Sequence, residues 1–204
     1  VAALQNLSSF TLLDSPTKVS DLINTAKEKG YQSVGMTDIN VTYGLVNFYE
    51  LAKKAGIKPL LGMQVRLNGL IDSTQKYDLI VFAKSDAGYH NLLRLSSAIN
   101  LLTENGQNDK ILTLKELTKY LSDLLVIVPA NTKSELVALF ETNQQLGSDF
   151  LRELRKLSSD VYLGVYASKN GENYINYLRT LNKQFNLTIV AFEDTEYLKP
   201  LDQF

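Results

Sequence analysis

Residues 33–67 have the sequence SVGMTDINVTYGLVNFYELAKKAGIKPLLGMQVRL, and they contain a pattern that the rest of the chain repeats. Mostly apolar side chains over 33–37, and again over 60–67, predict two buried strands. Between them, apolar residues recur at helical spacing over 43–55, and Gly56 is the residue type that most often ends a helix. Strands that are apolar on both faces and joined by a helix are typical of a parallel sheet covered by helices.

The same alternation of apolar strands and amphipathic helices continues in both directions. The predicted strands cover residues 2–5, 33–37, 60–67, 77–83, 124–128, 161–165 and 187–192. The predicted helices cover residues 19–30, 43–55, 86–102, 114–121, 133–140, 148–157 and 172–185, and polar stretches at 68–76 and 103–110 predict exposed loops. Seven such strands predict an α/β fold, and the periodicity leaves open whether they close into a compact barrel or form an open doubly wound sheet.

The composition excludes several classes of site. The 204 residues include one histidine and no cysteine, which excludes disulfides, thiol nucleophiles and metal centres that need two imidazoles. A metal would have to rest on carboxylates, which suit Mg²⁺ or Mn²⁺. The chain has 21 basic and 22 acidic residues, so its net charge of −1 provides no basic field. We therefore expect no autonomous binding of nucleic acid.

Other bulk features concern location and the extent of the chain. No apolar run approaches the roughly 18 residues that a membrane helix needs, so we expect no membrane association. The absence of cysteine fits a cytoplasmic location. Because the chain begins at Val1 rather than Met and ends at Phe204 without a terminal signature, we expect a fragment excised from a longer protein.

The candidate site residues are carboxylates at the ends of predicted strands. They are Asp38, Asp78, Glu193, Asp194 and Glu196. Carboxylates that follow parallel strands are placed to bind a metal or to form an acid/base pair at one face of a barrel. The alternative, which the residue preferences of helix caps favour, is that each carboxylate caps a helix or binds a loop amide.

Motifs for nucleotide binding or nucleophilic catalysis are missing from the sequence. It contains no G-x-G-x-x-G, no G-x-x-x-x-G-K-[ST] and no G-x-S-x-G. The single histidine, His90, lies inside the predicted helix 86–102, so we expect it on the flank of that helix and not in a catalytic triad.

Several ordered blocks of the sequence resemble one known family. The blocks are L-x-x-x-S-x-F-T-L-L-D at 4–14, G-M-T-D-x-N-x-x-Y-G-x-x-x-F-Y at 35–49, A-G-I-K-P-L-L-G at 55–62, L-I-V-F-A-K at 79–84, G-Y-H-N-L-L-x-L-S-S at 88–97 and I-V-A-x-x-D-x-x-Y-L at 189–198. Together they are similar to the PHP (polymerase and histidinol phosphatase) domain at the N-terminus of bacterial DNA polymerase III alpha subunits. The resemblance implies a distorted seven-stranded, TIM-like β/α barrel, with residues 1–204 forming a single domain cut from a longer polymerase chain.

The resemblance also implies where a metal site would lie, and most of its ligands are replaced in this chain. Where the family has His-x-His on strand one, this chain has Gln5 and Leu7. The family's Asp-His after strand two corresponds to Asp38 and Ile39, and its Glu after strand three corresponds to Gln64. The family's His at the start of strand four corresponds to Asp78, and its final Asn-Asp-x-His corresponds to Glu193, Asp194 and Glu196. Asp38 and Asp194 alone keep the family residue, so they are the candidates for one hydrated cation. Because most lone pairs are missing, we expect no catalytic residue and no metal in this domain. Gln5 and Gln64 are the predicted hydrogen-bond donors to the two buried aspartates.

The function that the resemblance implies is that of a non-catalytic PHP domain in DNA replication. Such a domain supports the polymerase and docks accessory proteins. Its implied partners are the rest of the alpha subunit and the proofreading exonuclease or other replisome subunits. The implied enzyme activity, that of a DNA-directed DNA polymerase using Mg²⁺ or Mn²⁺, belongs to other parts of the parent chain.

Three alternatives stay open at this point. The first is a residual metal-dependent 3′–5′ exonuclease of the PHP family. The second is a free-standing phosphoesterase of the histidinol-phosphatase type, which would need the imidazoles that this sequence lacks. The third is a regulatory module that binds a nucleotide or phosphate through Arg66, Lys84 and Arg94.

Overall fold

A computed structural model describes residues 2–11, 15–104, 111–166, 171–191 and 194–195. The chain divides into two compact units, Val1–Gln64 with Glu193–Phe204, and Val65–Phe192. Strands and helices alternate along it as predicted, which confirms the α/β class. The closed seven-stranded barrel and the single domain stay predictions. Most of the loop predicted at 103–110 lies outside the described residues.

The first unit contains short parallel strands. β1 (Ala2–Ala3) pairs with β3 (Ser33–Met36), and β3 pairs with the first part of β4 (Lys58–Asn68). β2 (Gln5–Asn6) pairs with β9 (Asp194–Thr195), also in parallel. The single first strand predicted from the sequence is therefore two short strands, because the pairing partner changes between them.

Two helices complete the first unit, α1 (Val19–Glu28) and α2 (Leu45–Ala55). They pack against each other. Their buried side chains are Val19, Leu22, Ile23 and Ala26 of α1 and Leu45, Phe48 and Ala52 of α2. Gly56 ends α2 in the left-handed conformation, with φ of 77°, which confirms the role predicted for it.

The strands of the second unit are not all parallel. β5 (Lys76–Ala83) pairs antiparallel with β6 (Leu124–Val128). β6 pairs in parallel with β7 (Val161–Val165), and β7 pairs in parallel with β8 (Thr188–Ala191). The prediction of a mainly parallel sheet is therefore wrong at β5. The seven residues 69–75 that lead into β5 from β4 are too few for the crossover that a parallel connection needs, so the chain turns back there.

The helices of the second unit follow the predicted order with shifted ends. They are α3 (Asp86–Glu104), α4 (Leu114–Leu117), a 3-10 helix (Thr118–Tyr120), α5 (Glu135–Thr142), α6 (Gln144–Leu157) and α7 (Glu172–Phe185). α6 begins earlier than predicted because the Asn143 side chain caps it, accepting a hydrogen bond from the amide of Gln145 at 3.1 Å. No helix of the described residues has the length and apolar content needed to cross a membrane.

Candidate functional site

Asp38 directly follows Thr37 at the end of β3, and its side chain is almost fully buried, with 2% of its surface exposed. Its Oδ1 accepts hydrogen bonds from the Ser8 amide at 2.6 Å and from the Thr11 hydroxyl at 2.9 Å. Its Oδ2 accepts a hydrogen bond from the Ser8 hydroxyl at 2.7 Å. Both oxygens are thus engaged by the loop that follows β2. We call Asp38, Ser8 and Thr11 the Asp38 clasp.

The backbone around the Asp38 clasp is tied down by further hydrogen bonds. The Thr37 amide donates to the Asn6 carbonyl at 2.9 Å, which holds the end of β3 beside β2. The Thr11 amide donates to the Ser8 carbonyl at 2.9 Å, forming a tight turn. The Thr11 hydroxyl also accepts a hydrogen bond from the Ile39 amide at 3.1 Å. The loop is therefore fixed both to the carboxylate and to the backbone that carries it.

Burial and hydrogen bonding shift the pKa of Asp38 in opposite directions. Burial raises the pKa of the Asp38 carboxyl above its usual value, because a charge loses water in the protein interior. The hydrogen bonds from Ser8 and Thr11 lower the pKa again, but by less than burial raises it. The clasp donors offset part of the cost of burying this carboxylate, and no positive group contributes to the shift.

Gln5 and Gln64 form a second buried polar pair in the first unit. The Gln5 Nε2 donates to the Gln64 Oε1 at 2.7 Å. The prediction that these glutamines donate to Asp38 is wrong, because the donors to Asp38 are Ser8 and Thr11. That they donate to Asp194 stays a prediction, because the side chain of Asp194 lies outside the described residues. Two residues three positions apart in the adjacent loop reach the carboxylate, Ser8 through its amide and hydroxyl and Thr11 through its hydroxyl.

The two apolar replacements reduce the number of possible ligands further. Leu7 is buried in the core, with 3% of its surface exposed. Ile39 is half-buried and forms an isolated parallel bridge with Gln64. The residues that the structure describes contain no group of three His, Cys, Asp or Glu side chains able to hold a metal ion. With both Asp38 oxygens engaged, the described residues do not fit the metal centre that the resemblance implies.

Asp78 belongs to the second unit, on β5, and is buried in an ion pair. Its Oδ1 accepts from the Arg66 Nε at 3.1 Å and its Oδ2 accepts from an Arg66 terminal nitrogen at 3.4 Å. The Asp78 amide donates to the Lys133 carbonyl at 2.8 Å. This carboxylate therefore anchors a bidentate Arg pair, the arrangement that lets a buried charge persist.

The acids predicted at the end of the last strand are described only in part. Glu193 and Glu196 lie outside the described residues, and so does the side chain of Asp194. The backbone of Asp194 pairs with Gln5, so β9 brings this position beside β2.

The other candidates from the sequence do not form a site among the described residues. His90 is exposed on α3, as expected, with its ring centroid 6.0 Å from that of Tyr89. Of the three basic residues considered for phosphate binding, Arg66 is paired with Asp78 and Lys84 with Asp160. The third, Arg94, is exposed on α3.

Sequence reasoning missed Glu135, the first residue of α5. Its carboxylate is buried, with 6% of the residue exposed, and its Oε1 accepts a hydrogen bond from the Ile71 amide at 2.9 Å. Burial raises the pKa of Glu135, and hydrogen bonds from the amides of Ile71 and Leu70 lower it in part. Asp78 and Glu135 line one small cavity of the second unit. A Glu at the start of a helix is normally exposed, so no sequence signal marks this one.

Sequence reasoning also gave no role to Ser8 and Thr11, although both lie in the first block that resembles the family. The signal was available, because two hydroxyl residues three apart, directly after a strand, are typical of loops in which side chains bind backbone or carboxylate groups.

Comparison with known proteins identifies the family. Residues 4–168 match the PHP domain family. The chain belongs to this family. The matched segment includes the Asp38 clasp, the Gln5–Gln64 pair and Asp78, so the resemblance found in the sequence blocks is confirmed.

DNA polymerase III alpha subunits are among the relatives of this PHP domain. The alpha subunit of Halalkalibacterium halodurans is 32% identical over 148 residues, which cover 72% of this chain and 13% of the relative. That of Bacillus subtilis is 28% identical over 205 residues, which cover 98% of this chain and 18% of the relative. The chain thus spans less than a fifth of the length of these two relatives.

Solved structures share the fold of this PHP domain. An amidohydrolase from Chromobacterium violaceum superposes with a TM-score of 0.69 at 11% identity, covering 98% of this chain and 89% of that one. A two-domain protein from Bacteroides vulgatus, which contains a predicted PHP-like metal-dependent phosphoesterase, has a TM-score of 0.58 at 14% identity and covers 98% of this chain and 53% of that one. At these identities the likeness concerns the fold alone.

Proposed function

We propose that this PHP domain is a non-catalytic supporting domain of a DNA polymerase III alpha subunit. The observation that carries the proposal is the Asp38 clasp. In place of a metal, three hydrogen bonds from Ser8 and Thr11 engage Asp38, one of the two acidic positions at which this chain keeps the residue that the resemblance implies. The polymerase parentage is supported by the relatives, which are DNA polymerase III alpha subunits.

The architecture we propose is a distorted seven-stranded β/α barrel of the PHP type, with residues 1–204 acting as one domain. The likeness to the Chromobacterium violaceum structure, which covers 98% of this chain, supports it.

The setting we propose follows from that function. The domain itself uses no cofactor, and the Mg²⁺ or Mn²⁺ of polymerisation is bound by other parts of the parent chain. Its partners are the rest of the alpha subunit and the proofreading exonuclease or other replisome subunits, in the cytoplasm. The loss of ligands at Gln5, Leu7, Ile39 and Gln64 supports the proposal that the domain itself uses no cofactor.

The experiment incubates the chain with labelled single-stranded DNA and Mn²⁺ and compares it with the D38N and D194N variants. Asn keeps the size and an acceptor oxygen of Asp but is a much poorer ligand for a hard cation. We expect no DNA shortening that depends on either aspartate. Shortening by the wild type that both variants abolish would establish the residual exonuclease instead. A phosphate monoester tested in the same way examines the free-standing phosphoesterase.

The polymerase parentage has a separate test. The full gene product is purified and assayed for primer extension, and its sequence is inspected for the paired aspartates of a polymerase active site. Extension by the full product is the expected result. A product without polymerase activity and without those aspartates would contradict the parentage.

A further inference from the structure

The first unit carries an exposed apolar surface around the N-terminal end of α2. Its members are Phe10, Tyr43, Val46 and Tyr49, with 39%, 66%, 58% and 46% of their surfaces exposed. We call these four residues the α2 surface. Aromatic and apolar side chains that are exposed together on a protein surface are typical of interaction sites.

The α2 surface is distinct from the side of the helix that packs into the protein. Leu45, Phe48 and Ala52 are buried. Val46 and Tyr49, three residues apart, lie on a different side and stay exposed, so they contribute nothing to this unit's core. The Lys53 Nζ lies 6.0 Å from the centre of the Tyr49 ring, so a basic group borders the surface.

Phe10 joins the α2 surface from the loop after β2. Its ring lies so close to Gly44 that a Cβ at position 44 would approach the Phe10 Cδ2 to 2.6 Å. The residue next to Gly44 is Tyr43, the most exposed member of the surface. The absence of a side chain at Gly44 therefore leaves room for the Phe10 ring beside the residue that precedes α2.

The Asp38 clasp holds the Phe10 loop in this position. Phe10 lies between Ser8 and Thr11, and both of these residues donate to the Asp38 carboxylate. The Phe10 amide also donates to the Ser8 hydroxyl at 3.3 Å. The Asp38 carboxylate thus orders a loop whose Phe10 side chain is partly exposed on the surface of the protein.

We propose that the α2 surface is the docking site for the remainder of the parent polypeptide, that is, the polymerase part of the alpha subunit beyond this domain. The inference rests on the proposed function. In the B. subtilis relative, the segment matched by this chain makes up 18% of the protein, so most of the polypeptide lies outside it.

The small size of the α2 surface favours an occupant in the same polypeptide over a second copy of the chain. From the exposed fractions, its four side chains offer on the order of 400 Å², against roughly 800 Å² per partner in a standard interface between separate molecules. A segment tethered in the same polypeptide docks at high effective concentration, so a small apolar contact is sufficient.

The experiment is hydroxyl-radical labelling of the full-length gene product, read by mass spectrometry at Tyr43 and Tyr49. Two variants of the same full-length protein are compared with it, V46K and the matched control L101K. Val46 and Leu101 have nearly equal exposure, 58% and 59%, and Leu101 lies on α3, away from the α2 surface in the sequence. Lys at either position is compatible with an exposed helix.

We expect Tyr43 and Tyr49 to be labelled slowly in the wild type, and about fivefold faster in V46K but not in L101K, because a buried charge opens an apolar contact. Labelling of both tyrosines in the wild type at the rate of a free surface would overturn the proposal. So would a labelling rate that changes with protein concentration, which would identify a second copy as the occupant. Primer extension by the same preparation tests the proposed function separately, so that a failure of either is recognised on its own.

Discussion

The Asp38 carboxylate keeps three hydrogen bonds in a site where it has almost no contact with water. Each oxygen of an ionised carboxylate has lone pairs for about two bonds, and here the donors come from two residues of one loop. Because the donors are an amide and two hydroxyls, they orient the carboxylate by hydrogen bonds but bring no positive charge to compensate its negative charge. Burial therefore remains the larger influence and raises the pKa of Asp38.

Asp38→Asn and Asp38→Ala separate a structural carboxylate from a metal ligand. In D38N, Oδ1 still accepts from the Ser8 amide and the Thr11 hydroxyl, and Nδ2 donates to the Ser8 hydroxyl, so we expect stability within about 1 kcal/mol of wild type. In D38A those donors lose their acceptor in the interior, and we expect a loss of about 3 kcal/mol. Urea denaturation at neutral pH measures both. Equal losses in the two variants would contradict the clasp.

The pH dependence of stability follows from the same carboxylate. The pKa of Asp38 is raised in the folded state, so the stability linked to it is fully present below the unfolded value of 3.8 and is lost as the pH rises through the folded pKa. D38N does not titrate at this position. We therefore expect the free energy of unfolding of D38N, relative to that of wild type, to increase as the pH rises from about 3.5 to neutral. Denaturation curves at several pH values test this, and a difference that falls with rising pH would contradict it.

At the scale of elements, Glu135 connects the start of α5 to the loop at 69–75. Its carboxylate accepts a hydrogen bond from the Ile71 amide at 2.9 Å. We expect E135A to free the loop and to accelerate trypsin cleavage after the exposed Lys76 by several-fold, since local opening governs proteolysis. E135Q keeps the acceptor oxygen and should be cleaved at the wild-type rate. E141A, an exposed change on the same helix, is the matched control, and faster cleavage in E141A as well would assign the effect to α5 as a whole.

The elements were largely predictable because their signals are periodic and local. Apolar runs such as 124–128 and helical spacing such as 172–185 correspond closely to β6 and α7. The antiparallel direction of β5 was not predicted. The direction depends on how many residues join β4 to β5, and the apolar pattern did not show where these two strands end and begin. The donors to Asp38 were also missed. Ser8 and Thr11 lie 30 and 27 positions from Asp38, so their spacing indicates a loop that binds polar groups but does not indicate which carboxylate it binds.

At the scale of the whole molecule, the change of melting temperature with divalent cations distinguishes a PHP domain that binds no metal from one that keeps a metal centre. A site with a dissociation constant near 10 μM would stabilise the protein by about 2.7 kcal/mol in ~1 mM Mn²⁺. For about 200 residues, that gain raises the melting temperature by roughly 5–10 °C.

We expect the melting temperature in Mn²⁺ and in EDTA to agree to within about 1 °C, because the Asp38 oxygens are occupied and Leu7 and Ile39 offer no lone pairs. A clear rise in Mn²⁺ that D38N abolishes would show that Asp38 binds metal, and the Asp38 clasp would then be the metal-free state of a functioning site.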